Sequence, residues 1–160
     1  MSSKLLEYDK YVKPFEADIE LKQALVLDNG KDVVINLNGH TLTMAKITNN
    51  YAAVVKNGML TVEGEGNVIV PGLYGFGTAS DTTTGHIVIN GGNFVGQNAD
   101  YLFACYNGSI TINGGSFTAN YCVLNNFPDD GNDNIMTGTA IVNGGEFTVT
   151  GEDEEYPSSV

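Results

Sequence analysis

The chain has 160 residues, 42% of them apolar, with 20 Gly, no Trp and a formal net charge of −12; this suits one compact domain with a core of aliphatic and Phe side chains and argues against wholesale disorder. All seven basic residues are Lys, the last of them Lys56: up to there seven acids balance seven lysines, and from Asn57 onward twelve acids stand against no cation. A surface of that sign repels nucleic acid and anionic membranes, and no run approaches the roughly 18 apolar residues of a membrane span.

In chain order, residues 1–18 carry three of the lysines among Leu, Tyr and Val, and read as an N-terminal arm or cap. They show no apolar core and cleavage site of a secretory leader, so synthesis in the cytoplasm is expected. Residues 19–150 then repeat a strand-turn-strand unit five times: VVINLNGHTL (Val33–Leu42), MLTVEGEGNV (Met59–Val68), HIVINGGNF, SITINGGSF and AIVNGGEF. The residue before each bend forms the series Leu37, Val62, Ile89, Ile112, Val142, with steps of 25, 27, 23 and 30. Steps of that length point to a solenoid, whereas a hairpin sandwich would show turns every 8–12 residues. Each coil is predicted to hold a first strand such as FACY, a second such as ITI, an Asn-Gly-Gly bend, and a third carrying Phe. Stacking then predicts a ladder of Asn38, Asn90, Asn113 and Asn143, broken at Glu63, and a second ladder of Phe94, Phe117 and Phe147. Residues 151–160 read as a solvated acidic tail. Cys105 and Cys122 lie in apolar runs and read as buried thiols rather than a disulfide framework.

The segment GKDVVINLNGHTLT (Gly30–Thr43), followed by the Asn-Gly-Gly coils, resembles the right-handed parallel β-helix, or pectate-lyase-like, superfamily over roughly Ile19 to Thr150. The resemblance implies an all-β, single-stranded parallel β-helix of about five coils. Its activity is less defined, since that superfamily holds lyases, hydrolases, adhesins and phage tailspikes. Its lyases use an Arg or Lys base, and this chain has no Arg and no Lys beyond residue 56. Its hydrolases need paired carboxylates roughly 5–10 Å apart, and the regular strands offer no column of Asp or Glu. No catalytic residue and no cofactor is therefore expected.

The repeat is broken at Gly77–His86 and Asn125–Gly138, and insertions at one position of a solenoid leave from one face. That places Asp81 and His86 near Asp129, Asp130 and Asp133, a speculative ligand-binding face to which Tyr106 adds an outward aromatic side chain. DDGNDN could offer oxygen ligands to Ca²⁺, though it lacks the spacing and closing Glu of an EF-hand loop; an acidic surface loop is the plainer reading. Outward rings among Tyr74, Phe76, Tyr101, Tyr106, Tyr121 and Phe127 suit subunit packing or a sugar. The absence of a secretory leader and the acidic coils fit a bacteriophage virion protein, and the resemblance implies a non-enzymatic structural or binding role there: a head fibre, capsid decoration, or tail spike or fibre component. The resemblance implies a homotrimer, with the arm docked to virion proteins and the loops turned toward cell-surface glycans. A bacterial surface adhesin domain and a small carbohydrate-active enzyme are the alternatives, and a DNA mimic is a distant one supported only by charge.

Overall fold

The computed structural model describes residues 14–151. Among them there is no helix, and every pairing between strands is parallel. A short lead strand, β1 (Ile19–Glu20), precedes five stacked coils. The first is β2 (Leu25–Asn36) and β3 (Thr41–Thr43); the second is β4 (Ala53–Glu63) and β5 (Asn67–Ile69). The third holds β6 (Tyr74–Thr78), β7 (Thr84–Ile89) and β8 (Asn93–Gly96); the fourth β9 (Tyr101–Cys105), β10 (Ser109–Ile112) and β11 (Ser116–Ala119). The fifth is β12 (Cys122–Asn126), β13 (Thr139–Val142) and β14 (Glu146–Val149). The third strands form a six-stranded sheet in the order β1-β3-β5-β8-β11-β14, and the first and second strands of all coils join in an eight-stranded one. The protein is a parallel β-solenoid of about five turns, as the repeat length requires.

Register follows side-chain alternation. Leu60, Ile87 and Ile110 align, as do Val62, Ile89 and Ile112, and all six are wholly buried, while Thr111 and Val88 between them face out. The core changes character along the axis. Leu25, Leu27, Ile35, Leu37, Leu42 and Met44 fill the first coil and its neighbourhood, and Phe76, Phe94, Phe103 and Phe117 fill the middle with ring centroids 5.3–5.7 Å apart. Phe94, Phe117 and Phe147 lie in one register and stack at 5.3 and 5.1 Å.

The first bend corrects the sequence alignment. Ile35, not Leu37, pairs with Val62, so the first step is 27 residues (62 − 35), and Asn36 takes the ladder position assigned above to Asn38. The cause is local: Asn38 (φ 48°) and Gly39 (φ 83°) form a tight turn in which the His40 N–H donates to the Leu37 carbonyl, and Leu37 drops into the core. The bend asparagines after it bond along the axis, Asn113 Nδ2 to Asn90 Oδ1 at 2.8 Å and Asn143 Nδ2 to Asn113 Oδ1 at 2.7 Å. Glu63 occupies the same row rather than breaking it, accepting from Asn36 Nδ2 at 3.3 Å. A second polar ladder went unread in the sequence: Asn93 donates to Asn67 at 3.0 Å and Ser116 to Asn93 at 2.8 Å.

Of the predicted arm, residues 1–13 lie outside the described residues, as do 152–160 of the tail. Residues 14–18 close the first coil. Phe15 is buried, its N–H donates to the Asn36 carbonyl, and its own carbonyl accepts from Asn38 Nδ2 at 2.9 Å. Asp18 accepts from the Thr41 N–H at 2.9 Å and lies 3.4 Å from His40 Nδ1.

Candidate functional site

Four tyrosines stand at or just before the first strands of four successive coils, one in each: Tyr51, Tyr74, Tyr101 and Tyr121. Their ring centroids follow one another at 5.4, 6.3 and 6.1 Å. Tyr106, at the far end of β9, and Phe127, from the long loop of the fifth coil, complete the group. Phe127 stacks on Tyr106 at 4.6 Å and meets Tyr101 edge-on at 5.3 Å. The Tyr51 and Tyr106 hydroxyls lie 3.1 Å apart. All six rings are half-buried. They can lie low because the sheet beneath them is made of small residues: Gly77 and Ala104 share a register and are buried, and a Cβ on Gly77 would stand 3.1 Å from the Tyr51 ring. Phe76 is not part of this flank; alternation turns it into the core.

Burial, with the Tyr106 hydroxyl next in weight, pushes the Tyr51 phenol far above its ordinary range; burial likewise raises Tyr101. Both remain neutral hydrogen-bonding groups at physiological pH. The sequence reading named Tyr106 but missed Tyr51. A tyrosine recurring once per coil was the available signal, and it was hidden because Tyr51 precedes its strand.

The two long loops do leave from one face, and one side chain joins them. Asn107, buried in the turn of the coil between, donates through Nδ2 to the Ser80 carbonyl at 2.7 Å. Its Oδ1 accepts from the Thr137 N–H at 2.8 Å and the Thr137 hydroxyl at 3.2 Å. Each loop is thus pinned at its base from the fourth coil.

The acidic tips do something else. Asp129 accepts from the Gly131 N–H at 2.9 Å, and Asp130 accepts from Asn132 N–H and Asn134 Nδ2, each at 2.9 Å. The Asn134 side chain, then the Asn132 N–H, hold the Asp130 carboxyl below its usual range. Asp133 takes the left-handed backbone of a turn (φ 63°). His86 sits at β7 with Nδ1 2.8 Å from Ser109 Oγ, and Asp81 is exposed at the tip of its loop. Among the described residues no three His, Cys, Asp or Glu side chains gather to hold a metal ion. Within the longer loop, Asp129 and Asp130 bond to the backbone and side chains of their own turns.

Fold and flank together define a parallel β-solenoid with an aromatic face bounded by two pinned loops. No family model matches the chain, and no curated protein or solved structure matches it.

Proposed function

We propose that the chain is a non-enzymatic structural and binding protein of a bacteriophage virion, a pectate-lyase-like β-helix serving as a fibre, spike or decoration subunit. The observation that supports this most is the use made of polar and aromatic side chains where the repeat is broken. Loop carboxylates are engaged in Asx turns, the loops are held by Asn107, and six half-buried rings form one face. Such a surface recognises by shape, ring edges and phenol hydroxyls, the combination that suits sugars and partner chains. The acid-only coils from Asn57 onward add solubility and repel anionic surfaces.

The test combines binding and turnover on immobilised bacterial envelope glycans and on purified virion capsid and tail proteins. Retention without product is expected, and replacing Tyr106 and Phe127 by Ala should weaken it. Release of reducing ends or unsaturated uronates that disappears in Asp129→Ala/Asp130→Ala would make the chain an enzyme. No retention on either class of target would remove the binding role.

A further inference from the structure

The two ends of the solenoid are finished differently. At the first coil, residues 14–18 lie over the core, leaving Phe15 5%, Leu21 2% and Leu25 1% exposed. At the last coil, β12, β13 and β14 each have, among the described residues, a neighbouring strand on one side alone. The effect on equivalent residues is direct. Ile112 and Val142 share a register one coil apart, yet Ile112 is wholly buried and Val142 is 51% exposed. Phe117 and Phe147 are likewise paired, the first buried and the second only partly so. Among the described residues this end is a partly exposed apolar surface at the edge of both sheets, the arrangement that accepts another chain.

We propose that residues 1–13 of a second copy dock on this open end, so that copies join head to tail. Charge selects that occupant. The open end belongs to the part of the chain with twelve acids and no cation, and Glu146 stands on its edge strand. Like charge on two such ends disfavours tail-to-tail pairing. Residues 1–13 hold three of the seven lysines against two acids, together with Leu5, Leu6, Tyr8, Tyr11 and Val12, and so match the end in charge and in apolarity. Reach permits the chain's own arm as well as that of a second copy, and the oligomeric state separates the two, since a self-capped chain stays monomeric. Thirteen residues span at most about 43 Å, and five coils at about 4.8 Å each stand about 24 Å tall. An arm folding back would use more than half its length before reaching its own open end. An arm on a stacked neighbour starts at the junction. Such a contact is heterologous and does not close, so it extends into a chain of copies. The inference stands independently of the virion reading, since glycan retention is not its readout.

Analytical ultracentrifugation of the full chain tests it with two complementary variants. Wild type should form species at multiples of 17.0 kDa that grow with concentration. Val142→Lys spoils the open end and Leu5→Glu/Leu6→Glu spoils the arm, so each should sediment at the single mass. Mixed one to one they should give a heterodimer, because each retains the half the other lacks; this also shows that both are folded. Wild type that stays monomeric at every concentration overturns the proposal, and so do variants that still self-associate. A mixture that remains monomeric overturns it as well. A synthetic peptide of residues 1–13 should cap the open ends and reduce wild-type assemblies to single copies; assemblies indifferent to the peptide contradict the proposal.

Discussion

Gly108 and Gly131 both have φ of 78°, which makes them a matched pair for separating backbone strain from close packing. Placing Ala in left-handed backbone costs about 1–2 kcal/mol wherever it occurs. At Gly131, in the tip of the long loop, a new Cβ meets nothing within 4 Å, so that cost is the whole effect. At Gly108 a Cβ would overlap the Gly85 carbonyl oxygen of the coil below and stand 3.0 Å from its carbon. Backbone held in a parallel ladder cannot step aside as a side chain does, and overpacking of this kind adds about 1–3 kcal/mol or more. Gly131→Ala should therefore cost about 1–2 kcal/mol and Gly108→Ala about 2–5 kcal/mol. In a domain of this size the difference is roughly 4–8 °C in Tm for about 2 kcal/mol, and about 1 M in urea midpoint. Equilibrium urea unfolding followed by far-ultraviolet circular dichroism, with the slope m checked for constancy, measures it. Equal losses at the two positions would refute the claim that coil-to-coil contact, rather than turn geometry, is what demands glycine before each second strand.

Asn107→Ala should cost about 2–4 kcal/mol, since three neutral hydrogen bonds at about 1 kcal/mol each are lost and the Ser80 carbonyl and Thr137 N–H are left unpaired. Hydrogen exchange should quicken in both 77–86 and 125–138 while β10 stays protected; loosening of one loop alone would contradict the shared pin. Burial raises the phenols of Tyr51 and Tyr101 above the ordinary tyrosine range. Both are acids whose neutral form the fold favours, so their contribution is fully present below pH 10 and is lost as pH rises beyond it, where the unfolded chain ionises first. These two phenols should thus add no pH dependence through neutral pH and a fall in stability above about pH 10, and Tyr51→Phe should flatten that fall. Absorbance at the phenolate band should show Tyr51 titrating last; a Tyr51 that ionises with the exposed phenols would refute its burial.

Much of the architecture was legible because a solenoid writes its period into the chain. Ile87, Ile89, Ile110 and Ile112 alternate with outward residues at a fixed offset, and Phe94, Phe117 and Phe147 recur in phase in the last three coils, so strand, face and stacking could be read together. The first bend was misread because one Asn-Gly looks like another in sequence. Asn38-Gly39 matches the later pairs in letters, yet its positive φ values belong to a tighter turn two residues further on, and only register distinguishes Asn36 from Asn38. The candidate site was legible in outline, as two breaks in the repeat on one face. Its content was not. Asn107 looks like an ordinary turn residue, and nothing local announces that its amide reaches Ser80 in one loop and Thr137 in the other.

Residue order by itself determined the repeat length, the inward and outward faces of each strand, and the uneven charge that leaves the later coils purely acidic. These are local or periodic properties, set by side-chain alternation and composition. Tertiary structure decided which Asn enters the ladder, that Tyr51 joins Tyr106 across 55 positions, and that the loop aspartates serve their own turns. It also decided that Val142, chemically so close to the buried Ile112, stands half-uncovered. That last difference lies in no residue of the pair: burial in a stack is conferred by the next coil, and the described solenoid has no coil beyond the fifth.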